Sequence, residues 1–185
     1  MASRGRVVLA SGSPRRRTLL EAACLEVVVR PSGADETWPG GTLHEGAVAL
    51  ATRKANVVPV PGEVVVAADT LVAIAQTRLE KPLDVADAAR MLRSLAGKRH
   101  EVVTGYCVRR DQRERTGAVS TFVTFRPLSD GEIQRYVDTG EPMDKAGAYG
   151  IQGGGGSLVD KVEGSYTNVV GLPLAEVLAA IAAVS

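Results

Sequence analysis

Aromatic side chains are scarce in this chain of 185 residues, which holds two phenylalanines, four tyrosines and one tryptophan. Its core must therefore be built from Val, Ala and Leu, and a stacking platform for single-stranded nucleic acid is disfavoured. Neither sign of charge is in excess, with 22 Lys and Arg against 21 Asp and Glu. A duplex-binding surface would carry a basic surplus, so no nucleic-acid polymer is expected as a partner. The two cysteines, Cys24 and Cys107, lie in apolar surroundings without CxxC spacing and read as buried free thiols. The two histidines, His44 and His100, are too far apart for a zinc pair and read as structural or surface groups. No apolar run approaches the roughly 20 residues needed to cross a bilayer. Residues 1–10 are too short and too strand-like for a secretory leader. The expectation is a soluble, cytoplasmic protein with no membrane partner, folded as a single domain over residues 1–185.

Strand and helix signals alternate in the first half. Arg6–Ala10 reads as a buried strand, and Pro14 to about Ala23 as a helix with Leu19, Leu20 and Ala23 on one face. Leu25–Arg30 is a second strand, and His44–Asn56 is helical behind a loop holding Asp35, Glu36 and Trp38. Glu63–Ala68 is an apolar strand expected to stop at Asp69, with Leu71–Ala75 resuming it. Asp84 is placed to cap a helix that runs to Ala96 and ends at Gly97. His100–Arg110 and Arg115–Arg126 flank a short polar turn, an antiparallel hairpin signal. Ser129-Asp130-Gly131-Glu132 is a capping box opening a helix to about Thr139. Residues 140–157 are glycine-rich and irregular; a strand at about Ser157–Val162 and a final helix from Leu174 follow. This order predicts an α/β fold with a mixed sheet covered by helices.

Chemistry is signalled first at Ser11-Gly12-Ser13-Pro14-Arg15-Arg16-Arg17, where a strand hands over to a helix. Arginines in a first helical turn oppose the helix dipole, so the run makes sense if an anion such as phosphate sits there. Ser13 is placed to cap and Pro14 to open the helix, while Arg17 reads as a solvated charge. Asp69 follows an apolar strand, where α/β proteins commonly place ligand chemistry, and Thr70 and Lys81 lie close behind it. Glu36, Lys54, Lys81, Glu141, Asp144 and Lys145 form a set of acids and bases lying mostly in loops. Carboxylates without histidine partners suit Mg²⁺ or Mn²⁺, and lysines suit phosphate. Gln152, inside a glycine-rich stretch, offers both the donor and the acceptor that a pyrimidine edge needs.

Together, Leu9-Ala10-Ser11-Gly12-Ser13-Pro14-Arg15-Arg16, Ala68-Asp69-Thr70, Lys81-Pro82 and the run from Gly140 to Gly153 resemble the Maf family. Gly164-Ser165-Tyr166 and Asn168-Val169-Val170-Gly171-Leu172-Pro173-Leu174 match its C-terminal signature, and the likeness spans about Val8 to Leu178. The resemblance implies an elongated α/β fold related to the inosine triphosphate pyrophosphatases, with two lobes and a cleft. It implies a metal-dependent hydrolase that cleaves nucleoside triphosphates to the monophosphate and pyrophosphate, with a possible homodimer and a link to septum formation. Asp69 would be the general base; its chemistry equally suits binding the metal, and Asp69 and Glu36 are the candidate metal ligands. Ser13, Arg16, Glu36 and Lys81 would serve catalysis, Ser11 and Lys54 substrate binding, and Arg15, Thr70 and Gln152 base preference. Ala68-Asp69-Thr70 and Ile151-Gln152 resemble the branch acting on dTTP and UTP rather than 7-methyl-GTP. The four glycines Gly153–Gly156 depart from the family pattern, which predicts a looser loop behind Gln152. A nucleotide-binding regulator of septum formation without turnover is the alternative.

Overall fold

The structure, a computed structural model, describes residues 5–185; the first four residues of the expected domain and leader-free stretch lie outside the described residues. Seven strands form one mixed sheet in the order β2-β1-β3-β5-β6-β7, with β4 pairing β3 off that path. They are β1 (Arg6–Leu9), β2 (Glu26–Val29), β3 (Val64–Ile74), β4 (Thr77–Leu79), β5 (Arg99–Arg110), β6 (Arg113–Phe125) and β7 (Val159–Glu163). The helices are α1 (Pro14–Ala22), α2 (Leu43–Asn56), α3 (Val85–Leu95), α4 (Asp130–Asp138), α5 (Tyr166–Val170) and α6 (Leu174–Val184). No helix among the described residues is long and apolar enough to cross a membrane. The mixed sheet flanked by helices is the fold class that the order of elements implied.

The chain divides into two compact units, and β3, β5 and β6 each contribute to both. Unit 1 holds the described residues through Thr70, Thr104–Val119 and Gly171–Ser185. In it β1 pairs in parallel with β2 on one side and β3 on the other, Val8 standing opposite Val28 and Val65. Side chains alternate across a strand, which sorts the apolar residues into two layers. Val7, Leu9, Val64, Val66 and Ala68 pack with Leu20 of α1 and Val177, Ala180 and Val184 of α6. Val8, Ala10, Val65 and Ala67 pack on the other side with Ala51 and Ala55 of α2 and Cys107 of β5. Small residues let this second layer close tightly. A Cβ on Gly105 of β5 would lie 2.2 Å from the carbonyl carbon of Ala47 in α2, so only glycine fits there.

Unit 2 holds Leu71–Val103 and Ser120–Val170, and it collects most of the few large rings. Ala88, Met91, Leu92 and Leu95 of α3 and Ile133, Tyr136 and Val137 of α4 pack around Phe125 and Tyr149. Asp84 caps α3 by accepting the Asp87 N–H at 2.8 Å, and Ser129 with Glu132 forms the expected capping box on α4. His100 belongs to this core, 2 % exposed, its Nε2 2.8 Å from the Tyr149 hydroxyl. Its ring meets Phe125 and Tyr149 edge to face at 5.0 and 5.5 Å.

Burial pushes the His100 pKa down from 6.5 to about 4, and the Lys98 backbone opposes that only in part. The unfolded chain then binds one proton more than the folded chain between about pH 6.5 and pH 4. The neutral ring costs nothing above that window, and stability falls by up to ~3 kcal/mol as pH drops through it. Denaturant midpoints measured from pH 7 to pH 4 should fall accordingly. A His100→Gln variant should show a flatter profile, and an unchanged slope would contradict the assignment.

The structure corrects four local expectations. β3 runs unbroken through Asp69, because an ion pair accommodates the carboxylate and the backbone ladder continues. The separate strand at Leu71–Ala75 is the second half of β3, which turns into β4 through Ala75 and Gln76, both at positive φ (45° and 68°). Cys24 is exposed, at the end of α1 with φ 63°, whereas Cys107 is buried as expected. Burial and the nearby Glu114 push the Cys107 thiol up to about 12, so it stays protonated at neutral pH. The stretch Gly153–Gly156 is ordered by hydrogen bonds and largely enters a 3-10 turn, Gly154–Leu158.

Candidate active site

The strand order β2-β1-β3 reverses direction at β1, with α1 packed on one face and α2 on the other. Ligands of parallel α/β sheets bind beyond the carboxyl ends of the strands at such a reversal. The residues found there in unit 1 are Ser11, just after β1, and Asp69 and Thr70 on β3. Consecutive residues of a strand point to opposite faces. Thr70 therefore meets α1, and Asp69 meets α2.

On the α1 face, Arg16 is the organising group. Its Nε donates to the Gly171 carbonyl at 2.7 Å, Nη1 to Ser11 Oγ at 2.9 Å and Nη2 to Thr70 Oγ1 at 3.1 Å. Thr70 Oγ1 lies 2.9 Å from Thr104 Oγ1, and Ser11 Oγ also accepts the Ser13 N–H at 3.2 Å. Burial presses the Arg16 pKa down, Asp69 and Glu36 oppose, Arg15 adds to the lowering, and the net shift is downward. Ser13 stands at the N-cap of α1, but its hydroxyl makes no capping bond, contrary to expectation. The first turn of α1 holds no acidic residue and Pro14 has no N–H. Its charge thus comes from the half-buried Arg15 and Arg16. Arg17 faces solvent and pairs with Glu21 at 2.7 Å, as a solvated charge should.

On the α2 face, Lys54 Nζ lies 2.6 Å from Asp69 Oδ1 and 2.6 Å from Glu36 Oε1. Lys54 is 7 % exposed and Asp69 9 %, so this ion pair is held largely away from water. The loop carrying Glu36 is pinned to α2 in a way the sequence did not signal. Trp38 covers Gly46 so closely that a Cβ there would lie 2.0 Å from the ring, and Arg53 Nη1 donates to the Thr37 carbonyl at 2.7 Å. Thr42 and Glu45 close a capping box that starts α2. These contacts bring two carboxylates to one ammonium.

The remaining predicted residues belong to unit 2. Lys81 is exposed between β4 and α3, and Gln152 is exposed in the turn before Gly154–Leu158. Glu141, Asp144 and Lys145, read with Glu36 and Lys54 as one set, form a separate group in unit 2. Lys145 Nζ donates to the Glu141 carbonyl and to Asp144 Oδ1, each at 2.6 Å. Partial burial pushes the Glu141 carboxyl up, but hydrogen bonds from Gly154, Tyr136 and Gly155 and the charge of Lys145 outweigh it, so it lies below the ordinary range. Asn168 of the C-terminal signature is fully buried and donates to the Val102 carbonyl and Thr121 Oγ1, a structural role.

The chain is similar to known proteins over nearly its whole length. Residues 6–184 match the profile of a family described as Maf-like protein. A dTTP/UTP pyrophosphatase of Anaeromyxobacter dehalogenans (strain 2CP-C) is 54% identical over 179 residues, 94% of this chain and 91% of that protein. The dTTP/UTP pyrophosphatase of Geobacter sulfurreducens is 52% identical over 182 residues, 95% of this chain and 94% of that protein. That of Thermococcus gammatolerans is 48% identical over 169 residues, 91% of each. Among solved structures, a HAM1 protein from Coxiella burnetii covers 65% of this chain and 73% of its own at 17% identity and a TM-score of 0.45, a likeness too slight to bear on function.

Proposed function

The chain belongs to the Maf-like protein family, and from that premise we propose that it hydrolyses dTTP and UTP to the monophosphate and pyrophosphate. The observation that carries the reading is the pair of adjacent β3 residues, Asp69 and Thr70, one bearing a carboxylate and the other bonded to a guanidinium at the strand-order reversal. In the proposed reaction water attacks the α-phosphorus, a proton passes from that water to Asp69, and the bond from the α-phosphorus to the bridging oxygen breaks. Negative charge grows on the phosphates as it does so. Arg16, Arg15 and the first turn of α1 stabilise it where it develops, and Lys81 is the further cation assigned to catalysis.

A hard divalent cation fits the donor set. Asp69 and Glu36 both reach one ammonium at 2.6 Å, and Mg²⁺ or Mn²⁺ needs only one or two carboxylates alongside substrate phosphates. These two carboxylates are the residues that would hold the ion; among the described residues there is no group of three or more His, Cys, Asp or Glu that could hold a metal. When bound it would supply Lewis-acid neutralisation of phosphate charge. Resolving the products of each purified nucleoside triphosphate with Mg²⁺ or Mn²⁺ tests the reading. Monophosphate and pyrophosphate from dTTP and UTP support it. Diphosphate and phosphate, or binding without turnover, refute it.

In the same reading Gln152 recognises the base, its amide N–H meeting a pyrimidine carbonyl and its oxygen accepting the ring N–H. Gln152→Glu removes the donor. The kcat/KM for dTTP relative to CTP should then fall about tenfold, the equivalent of one good hydrogen bond. Equal ratios in the two proteins would reject the role.

A further inference from the structure

The glycines after Gln152 are wound around one carboxylate. Glu141 Oε2 accepts the Gly154 N–H at 2.9 Å, while Oε1 accepts the Gly155 N–H at 3.3 Å and the Tyr136 hydroxyl at 2.9 Å. The Tyr136 oxygen in turn accepts the Gly150 N–H at 3.1 Å. Backbone donors on both sides of Gln152 thus converge on a single Tyr136–Glu141 pair. The close fit explains the glycines. A Cβ at Gly153 would lie 2.5 Å from both Glu141 carboxylate oxygens, and one at Gly155 would lie 2.6 Å from the Gly150 carbonyl oxygen. Ile151 is buried and Gln152 exposed, so the loop presents its one amide outward from a fixed base.

We propose that Glu141 is the positioning residue of this loop, its carboxylate holding residues 150–156 so that Gln152 offers its amide to the base in one orientation. The proposal rests on the reading of Gln152 as the base-recognising group. A glycine-rich loop left to itself would sample many backbone states, and each would have to be given up on binding. Anchoring by a carboxylate removes that loss before the nucleotide arrives, which favours the base that Gln152 matches over those it does not. Neither Glu141 nor Tyr136 needs to touch the nucleotide for this.

Glu141→Gln keeps the shape but turns one acceptor into an amide donor facing donors. The kcat/KM for dTTP relative to CTP should fall about fivefold, the scale of one hydrogen bond. Exchange of the Gly154 and Gly155 amide protons should accelerate with the far-UV spectrum unchanged. Tyr136→Phe, which removes the hydroxyl bonded to both Glu141 and Gly150, should shift the same ratio in the same direction. Adding Glu141→Gln to Gln152→Ala should change the ratio no further, because the group being positioned is gone. The same ratios are to be read from triphosphate binding, so a chain without turnover is tested equally. An equal loss for every triphosphate, or additive effects in the double variant, overturns the proposal. A normal ratio in Gln152→Ala overturns the base-reading role of Gln152 and the selectivity of Glu141 with it. A changed ratio in Gln152→Ala beside an unchanged one in Glu141→Gln overturns the role of Glu141 alone.

Discussion

Asp69→Asn is expected to lower kcat for dTTP by about 10²–10⁴-fold, the usual contribution of a positioned general base, while triphosphate binding persists. The asparagine keeps the volume of the side chain and an oxygen that can still accept from Lys54 Nζ, now 2.6 Å from Asp69 Oδ1. What it loses is the capacity to take a proton. Removing one partner from a buried ion pair costs about 3–5 kcal/mol when the other charge is left alone. Here Glu36, also 2.6 Å from Lys54, remains as the counter-charge, so the loss of stability should be well below that range. Steady-state turnover, equilibrium binding of dTTP and thermal unfolding of the variant separate these effects. Wild-type turnover in Asp69→Asn would remove Asp69 from the reaction. Lost binding with an intact fold would make it a substrate-holding group instead.

The chain made its architecture legible where local chemistry is self-contained. Asp84 and Ser129 cap their helices with their own side chains, and the valines of β1 and β3 pattern a buried sheet regardless of what covers it. Ser11, Arg16, Asp69 and Thr70 stand out in the sequence by residue type and place, and the fold joins Arg16 to Ser11 and Thr70. Less legible were features settled by distant partners. The turn into β4 places Ala75 and Gln76 at positive φ without the Asn or Gly that usually marks such turns, so no local signal marks β4. Asp69 looked like the end of a strand because its counter-ion, Lys54, lies on another element; once paired, it sits inside β3. The loop 153–156 looked loose because nothing nearby in sequence shows that Glu141 supplies its acceptors. Trp38 over Gly46 is of the same kind, a close approach that neither residue announces alone. Thr42-Leu43-His44-Glu45 is different: it carries the capping-box pattern openly and marks the true start of α2.

Arg16→Lys should be nearly as damaging as loss of the base, lowering kcat/KM for dTTP by about 10²-fold despite conserved charge. Arg16 reaches three separate segments through three different nitrogens: the Gly171 carbonyl before α6, Ser11 after β1, and Thr70 on β3. A lysine has one nitrogen on a flexible stem and cannot reproduce the planar three-way fork, so the set of contacts made by Arg16 is broken. Three of the five guanidinium N–H groups are committed to acceptors among the described residues, which leaves one on each terminal nitrogen for a phosphate oxygen. The guanidinium is therefore held in place by the protein before substrate arrives, and its remaining donors need no reorganisation as charge builds. Because Arg16 also ties Ser11 and Thr70 together, the substitution should lower the free energy of unfolding by about 1–3 kcal/mol. The decisive comparison is with Arg17→Lys. Among the described residues the Arg17 side chain pairs with Glu21 on the exposed side of α1, so that variant should keep both wild-type activity and stability. Charge is conserved in both variants, so wild-type activity in Arg16→Lys would mean that total charge in the first turn matters rather than the geometry of Arg16, and the fork would lose its role.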